Sequence, residues 1–159
     1  MIVRLSHNDK ETAKRILEIQ IPAYRVEAEM IGFHDIPQLN DTVKSIMGSG
    51  ETFLGYMDGP NLLGVLSFVD RNNDIEICRL VVHPTFFRKG IARKLLAYIL
   101  SKSETEKRIT VSTGDRNEPA MNLYQCSGFS KFAETEINDG VYLAHLERKG
   151  NEGGGGRLA

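Results

Sequence analysis

The chain has 159 residues, a formal net charge of −1 and a sequence pI of about 6.4. This length suits one domain with a single core, and the near-neutral charge excludes a general electrostatic attraction to nucleic acid. Only two cysteines are present, Cys78 and Cys126, which excludes a disulfide scaffold and favours a reducing, cytoplasmic location.

No metal site and no membrane segment are predicted. The four histidines are scattered, and none pairs with a cysteine at metal-ligand spacing. No apolar run reaches the length of a membrane span, and the start of the chain turns polar at Ser6, so no signal peptide is expected. The sequence therefore predicts a soluble protein with neither a metal nor a membrane partner.

The first third of the chain predicts a short strand and two helices. The segment IVRLS alternates like a strand, and the residues from Ser6 to Asp9 supply caps for a helix whose apolar residues recur at helical spacing. Pro22 is expected to break or kink that helix. A second helix is predicted from about Asp41 to Met47, with Asp41 as its cap and GSG as its stop.

The remainder predicts a meander of strands, then alternating helices and strands. ETFLGYMDG and NLLGVLSFVD are joined by the turn DGPN, and IEICRLVV follows the turn RNND. A helix is predicted from about Gly90 to Leu100, followed by the strand RITVSTG. Pro119 suits the first turn of the next helix, which ends before Gly128 as a left-handed cap. A hairpin around NDG closes the domain.

The predicted order is β-α-α-β-β-β-α-β-α-β-β, an α+β fold with a mixed, mostly antiparallel sheet flanked by helices. One parallel crossover runs through the helix that starts near Gly90. Residues 1–149 form this domain, and the Gly-rich residues 150–159 are expected to be a flexible tail. An edge strand such as the closing hairpin could support a homodimer.

The densest positive charge surrounds the predicted start of the helix at Gly90. A helix start carries partial positive charge, and its N–H groups bind phosphate. The sequence therefore predicts a phosphate cradle, formed by Arg88, Lys89, Gly90, Ile91 and Ala92. A solvated basic face on an amphipathic helix is the alternative. The glycine patterns of nucleotide-hydrolysing and dinucleotide-binding loops are both lacking, so the anion is not expected to be a hydrolysed NTP or NAD.

Two motifs resemble the GNAT superfamily of N-acetyltransferases, whose acyl-CoA loop is Q/R-x-x-G-x-G/A after a strand and a proline. LVVHPTFFRKGIARKLL matches at Pro84, Gly90 and Ala92, but Phe87 replaces the Gln or Arg, and Arg88 stands one residue later. Downstream, NEPAMNLYQCSGF matches the family segment N-x-x-A-x-x-L-Y-x-x-x-G-F. With both motifs in the family's order, residues 1–149 are similar to a GNAT acetyltransferase domain.

The resemblance implies acetyl-CoA as cosubstrate, with its pyrophosphate on the loop and its pantetheine arm along the splayed strand CRLVV. The implied cofactor-binding residues are Leu80, Val81, Val82, Phe87, Arg88, Lys89, Gly90, Ile91, Ala92, Arg93, Asn117 and Tyr124. The implied activity is acetyl transfer to an amine of a small molecule or a protein acceptor, without a nucleic-acid partner. A non-catalytic acyl-CoA-binding or sensing module on the same fold is the alternative.

Two side chains are candidates for acid–base chemistry. Tyr124 matches the family's general acid, because a phenol can protonate a leaving thiolate; alternatively it is a core tyrosine. Glu76 interrupts the apolar IEIC, and strand alternation places it on one face with Leu80 and Val82 unless a bulge intervenes. Glu76 is either the base that deprotonates the amine, or a solvated carboxylate, or a partner of Arg79. The Val82 N–H is the expected oxyanion donor.

Acceptor choice is expected from the irregular segment YRVEAEMIGFHDIPQLND. Its acidic residues Glu27, Glu29 and Asp35 could attract an amine, although exposed helix carboxylates are the commoner explanation for such residues. Tyr24 and His34 are plausible pocket residues. The sequence does not distinguish among these acids.

Overall fold

A seven-stranded mixed sheet organises the part of the chain that a computed structural model describes, residues 1–102 and 107–150. The strands are β1 (Ile2–Arg4), β2 (Thr52–Asp58), β3 (Asn61–Asp70), β4 (Asp74–Val82), β5 (Arg108–Gly114), β6 (Ser130–Asn138) and β7 (Val141–Arg148). The helices are α1 (Lys10–Ile31), α2 (Val43–Met47), α3 (Ile91–Lys102) and α4 (Glu118–Cys126), with 3₁₀ turns at Pro37–Asn40 and Pro84–Phe86. This order confirms the predicted succession and the α+β class. Apart from Gly150, the predicted tail lies outside the described residues.

The two central strands separate towards their carboxyl ends. The sheet order is β1-β2-β3-β4-β5-β7-β6, and only β4 and β5 pair in parallel, as the crossover through α3 predicts. Their pairing runs from Asp74 opposite Arg108 to Ile77 opposite Val111 and stops there. Beyond that point the facing edges of β4 and β5 have peptide groups that the sheet does not use.

A β-bulge at Cys78 coincides with this separation. On β3, Ser67 lies opposite Arg79, but the next residue, Phe68, lies opposite Ile77. Cys78 is therefore an extra residue in β4, and such an insertion bends the strand and increases its twist.

The bulge reverses the alternation of β4. Before it, Ile77 packs into the core beneath α3 and α4; after it, Leu80 and Val82 pack there, while Val81 packs under α1. Glu76 therefore lies on the face opposite Leu80 and Val82. This corrects the expectation from unbroken alternation, which would have grouped all three on one face.

Helix α1 is continuous through Pro22, so the predicted break is wrong. A proline inside a helix costs about 3 kcal/mol. Buried residues continue on both sides of it, including Ile16, Ile19, Ala23 and Ala28. Because each large apolar side chain contributes about 1.5–3 kcal/mol on burial, the packed stripe outweighs the proline.

Across the described residues, no helix combines the length and the apolar character that a membrane crossing requires.

The cap of α2 is Thr42 and not Asp41 as predicted. The Thr42 hydroxyl accepts a hydrogen bond from the Ser45 N–H at 3.1 Å, and the Ser45 hydroxyl accepts one from the Thr42 N–H at 2.9 Å. Asp41 stands one residue earlier, and its carboxylate is bound by Arg79 and Gln20 instead. A long-range ion pair thus takes the residue that local sequence assigns to the cap.

The guanidinium of Arg79, on β4, binds helix α1 and the segments that precede α2 and β2. Arg79 is only 8% exposed. Its Nη1 donates to Asp41 Oδ2 at 2.6 Å and to Gln20 Oε1 at 3.0 Å, and its Nε donates to Glu51 Oε1 at 3.0 Å. Ser67, on β3, donates to the same Glu51 oxygen at 2.6 Å. Although burial alone would raise the pKa of Asp41, hydrogen bonds from Arg79 and Gln20 outweigh it and hold that pKa below its usual value.

Replacing Arg79 by Met should destabilise the fold by about 3–5 kcal/mol, because the partly buried carboxylates of Asp41 and Glu51 lose their cation. Urea unfolding at neutral pH measures the change. The matched control is Lys131→Ala, which breaks the exposed pair with Glu134 (3.0 Å) and should cost less than about 1 kcal/mol. Equal losses for the two variants would contradict a structural role for Arg79.

The difference in the free energy of unfolding between wild type and the Arg79→Met variant should become smaller in acid. The pKa of Asp41 is lowered in the folded state, so its stabilising contribution is present above the unfolded pKa and is lost as the pH falls through the folded pKa. Unfolding midpoints measured from neutral pH downward test this, and a gap that stays constant in acid would argue against the ion pair as its source.

Candidate active site

A cleft of about 500 Å³ opens where β4 and β5 separate. One wall is β4 from Glu76 to Leu80, and the facing wall is β5 from Val111 to Thr113. Helix α1 and the segment after it cover one side, and residues of the closing hairpin, Ile137 and Leu143, complete the lining. The cleft therefore forms around strand edges whose backbone groups are available to a ligand.

Close packing at the end of β5 sets the position of α1 over this cleft. A Cβ built on Gly114 would lie 2.6 Å from Cγ2 of Ile31, so only glycine lets the last turn of α1 approach the strand. Tyr24, Glu27 and Ile31 line the cleft. Their spacing of three and four residues places them on one face of the helix.

Asn117 connects Glu27 to the start of α4. Its Nδ2 donates to Glu27 Oε1 at 3.2 Å, and its Oδ1 accepts from the Ala120 N–H at 3.3 Å as the cap of α4. Burial raises the pKa of Glu27, and the hydrogen bond from Asn117 only partly opposes this effect. One amide side chain therefore holds the α1 carboxylate next to the helix that carries Tyr124.

Tyr124 is 4% exposed, and its ring lies 5.7 Å from that of Phe129, centroid to centroid. Within the described part of the chain, the Tyr124 hydroxyl has no hydrogen-bond partner. Every fully buried side-chain oxygen or nitrogen in that part does have a partner, so this hydroxyl is not fully buried. The hydroxyl therefore reaches solvent from an otherwise buried ring. Burial, followed by the charge of Glu27, raises the pKa of Tyr124 above its ordinary value.

Two further residues of the cleft, Glu76 and Cys78, have a defined ion-pair partner and a defined protonation state, respectively. The Glu76 side chain is 47% exposed, and its carboxylate pairs with Arg71 Nη1 at 2.8 Å, so its partner is Arg71 and not Arg79. Burial raises the pKa of Cys78 to about 12, which keeps its thiol protonated at neutral pH. Among the described residues no group of three or more His, Cys, Asp or Glu side chains is placed to hold a metal ion.

The basic loop follows β4 and has a left-handed backbone at two positions. Arg88 has φ 66° and Gly90 has φ 75°. A Cβ on Gly90 would meet no atom within 4 Å, so this glycine faces open space. The first turn of α3 contains no acidic residue, and no side chain in the described part of the chain caps it. Its N–H groups are therefore available to an external acceptor.

The start of α3 is held tightly against the sheet. A Cβ on Gly64 would lie 2.9 Å from Cγ2 of Ile91 and 3.2 Å from the Val81 carbonyl oxygen, which explains glycine in the middle of β3. Phe87, where the loop departs from the acyl-CoA pattern, is 41% exposed. The loop therefore follows β4 a few residues beyond the part of the strand, Glu76 to Leu80, that lines the cleft.

The structure separates the sequence-predicted residues into these two places. Phe87 to Gly90 form the loop, and Ile91 to Arg93 form the first turn of α3. Leu80 lines the cleft, whereas Val81 and Val82 end β4 beyond its lining. Asn117 contacts the lining residue Glu27, and Tyr124 is not among the lining residues. The sequence indicated Glu27 only as one of three acids that could attract an amine, without distinguishing it from Glu29 and Asp35. The available signal was its helical spacing from buried Tyr24 and Ile31, which places a charge on the packed face of α1.

Comparison with known proteins agrees with this architecture. The model of the acetyltransferase (GNAT) family matches residues 13–129. The UPF0157 protein YqkA of Bacillus subtilis (strain 168) is 43% identical over 151 residues, which are 94% of this chain and 44% of that protein. The chain thus spans less than half the length of this curated relative.

Two solved structures show the same fold at low sequence identity. The ribosomal-protein-S18-alanine N-acetyltransferase of Escherichia coli superposes with a TM-score of 0.76 at 15% identity, covering 98% of this chain and 96% of that one. The yncA protein of Salmonella typhimurium, solved with its cofactor acetyl-CoA, gives 0.71 at 19% identity, with coverage of 96% and 94%. The family match spans both the loop at Gly90 and the segment of Tyr124, and the chain belongs to the GNAT family of acetyltransferases.

Proposed function

We propose that this protein transfers the acetyl group of acetyl-CoA to an amine nitrogen of a small-molecule or peptide acceptor. The observation that carries the proposal is the placement of two complementary sites at one end of β4. One is the uncapped basic start of α3, and the other is the cleft, whose lining residue Glu27 is close enough to Tyr124 to raise its pKa. An anionic cosubstrate on the first site could present its reactive end to the second.

The residues of the loop fit the phosphates of acetyl-CoA. Orphan N–H groups at the start of α3, together with the helix dipole, favour an anion, and Gly90 leaves space in front of them. Arg88 and Lys89 are exposed beside this point, where their charges are unfavourable until an anion arrives. In the family pattern a Gln or Arg stands at the position of Phe87 and contacts the cosubstrate. We assign that contact in this chain to the loop amides and to Arg88.

The pantetheine arm would lie along the edge of β4 beyond Ile77, which β5 leaves unpaired. An extended chain can hydrogen-bond to such an edge as an added strand would. The amide and carbonyl of Asn117's side chain are already bound to Glu27 and Ala120. We therefore propose that Asn117 positions Glu27 and α4, in place of the direct contact with the arm that the resemblance implies.

The chemistry assigned to this chain is proton transfer and charge stabilisation. Acetyl-CoA supplies an acetyl group activated as a thioester. Tyr124 donates its proton to the departing sulfur, and its raised pKa keeps the phenol protonated throughout the neutral range. The unpaired edge of β4, with the Val82 N–H as the proposed donor, stabilises the developing oxyanion.

Gly90→Ala should weaken acetyl-CoA binding roughly 10- to 100-fold, because a methyl group in front of the loop amides costs about one charge-assisted hydrogen bond of about 1.5–3 kcal/mol. For wild-type protein, acetyl-CoA at about a hundred times its dissociation constant should raise the free energy of unfolding by about 2.7 kcal/mol. This corresponds to a rise in melting temperature of about 5–10 °C.

Gly59→Ala is the matched control for the glycine at the loop. Gly59 also has a positive φ, 58°, and open space at its Cβ, but it lies in the β2–β3 turn. The Gly59→Ala variant should have the same backbone strain as Gly90→Ala but should keep the full rise in melting temperature with acetyl-CoA. If wild-type protein showed no rise at millimolar acetyl-CoA, the cosubstrate assignment would be wrong.

Tyr124→Phe should lower kcat by roughly 10²- to 10⁴-fold, the usual contribution of a general acid, and leave acetyl-CoA binding intact. Its melting temperature should stay near that of wild type, because the hydroxyl has no partner in the described chain. Release of CoA thiol measures turnover, and Tyr142→Phe on β7 is the control. Unchanged turnover in Tyr124→Phe would remove this residue as the acid. If acetyl-CoA bound without thiol release across an amine panel, the protein would be an acyl-CoA-binding module instead.

A further inference from the structure

We propose that Glu27 is the residue that receives the ammonium group of the acceptor and takes its proton, an inference that rests on the proposed acetyl transfer. The acceptor would accordingly be a cation, a primary alkylammonium group. This acid on α1 acts in place of the strand residue Glu76, which is the candidate base from the sequence.

Glu27 is positioned as a binding group would be. It lines the cleft and lies one turn from Tyr24, which lines the cleft as well. Its Oε1 accepts the hydrogen bond from Asn117 at 3.2 Å, which fixes the direction of the carboxylate and leaves Oε2 for a ligand. A carboxylate beside an aromatic ring is a favourable environment for an ammonium ion.

The charges around the cleft favour a cationic acceptor. Three acids line it: Glu27, Asp35 and Glu76. Among the described lining residues the only lysine or arginine is Arg79, and its guanidinium is already bound to Asp41 and Glu51. An incoming anion would therefore meet a surplus of negative charge, whereas an ammonium ion would neutralise part of it.

Glu27 and Glu76 differ in what already neutralises them. Glu76 is half-exposed and paired with Arg71 at 2.8 Å. Glu27 is partly buried, and within the described chain no cation lies within ion-pair distance of it, so its only polar partner is the amide of Asn117. A partly buried carboxylate that lacks a counter-ion binds an external cation more favourably than an exposed one that has a counter-ion.

Glu27 and Tyr124 together account for every proton that moves in the transfer. Glu27 takes one proton from the acceptor ammonium, which frees the nitrogen lone pair. The carbon–nitrogen bond then forms and the carbon–sulfur bond breaks. Tyr124 gives its proton to the departing sulfur and recovers one from the newly acylated nitrogen, and Glu27 releases its proton to water. One proton leaves per amide formed.

The same geometry links the two proton transfers. The negative charge of Glu27 contributes to the raised pKa of Tyr124. When Glu27 becomes neutral by taking the acceptor's proton, that contribution disappears and Tyr124 becomes a stronger acid. Deprotonation of the nucleophile therefore strengthens the acid that the leaving group needs.

Glu27→Gln should raise the melting temperature at neutral pH, because the amide keeps the bond from Asn117 without a partly buried charge. The pKa of Glu27 is raised in the folded state, so its favourable contribution is present below the unfolded pKa and is lost as the pH rises through the folded pKa. The gain should vanish in acid.

Other titratable groups around the cleft also affect this profile. They are Tyr24 on α1, Tyr124 on α4, Asp35 after α1, and Glu76, Cys78 and Arg79 on β4. The control Glu29→Gln removes an exposed acid two residues away, with its side chain 79% exposed, and should show no such gain. Melting scans from acid to neutral pH test this, and equal behaviour of the two variants would count against a buried Glu27 charge.

The direct test titrates n-butylamine into CoA-saturated wild-type protein carrying ¹³C-labelled glutamate carboxyl groups. The resonance of Glu27, assigned by its absence in Glu27→Gln, should move on addition of the amine, and that of Glu76 should not. The neutral analogue n-butanol should move neither. The proposal is overturned if Glu76 responds in place of Glu27, or if neither resonance moves up to the solubility limit of the amine.

Kinetics separate this inference from the proposed function. With the best amine of a panel at neutral pH, Glu27→Gln should lower kcat/KM by roughly 10²- to 10⁴-fold, and the loss should shrink above the amine pKa of about 10.4, where the base is no longer needed. Glu29→Gln should match wild type. If Glu27→Gln also matches wild type while Glu76→Gln fails, the inference falls and acetyl transfer stands. If wild-type protein acetylates no amine, acetyl transfer itself falls.

Discussion

The cleft depends on the buried guanidinium of Arg79. This residue follows the bulge at Cys78, where β4 parts from β5, and it binds α1 through Gln20 and the segment before α2 through Asp41. A buried charge that loses its partner costs about 3–5 kcal/mol, so these groups have one arrangement that satisfies them all. That arrangement sets the distance between α1 and the parting strands. It thereby sets the position of every α1 side chain that faces the cleft.

Charge of opposite sign is concentrated at two places joined by β4, although the chain as a whole carries only −1. Exposed cations surround the start of α3, and acids line the cleft. In an isolated protein both concentrations are unfavourable, because the cations add to the positive end of a helix dipole and the acids repel each other. Both would become favourable on the proposed binding of an anionic cosubstrate at the first place and a cationic acceptor at the second. Net charge alone would not reveal this.

Local signals predicted the succession of elements and the left-handed glycine at Gly128 (φ 93°), because periodicity and turn residues act within a few positions. The errors arose where distant residues intervene. Packing on both sides of Pro22 overrides its local cost, and the ion pair with Arg79 removes Asp41 from the cap of α2. The bulge at Cys78 reverses a strand face, and only pairing with β3 shows it. The environment of Glu27 is made by Asn117, 90 positions away.

The partly buried acids Glu27, Asp41 and Glu51 are not equivalent, and the difference bears on function. Asp41 and Glu51 each have the guanidinium of Arg79 within 3.0 Å, and their charges hold the structure together. Glu27 has only an amide donor within the described chain, and burial raises its pKa, so its charge opposes folding at neutral pH. A glutamine would keep the bond from Asn117 at no electrostatic cost. The fold alone therefore gives no reason for an acid at this position, whereas the proposed binding of an ammonium ion would give one.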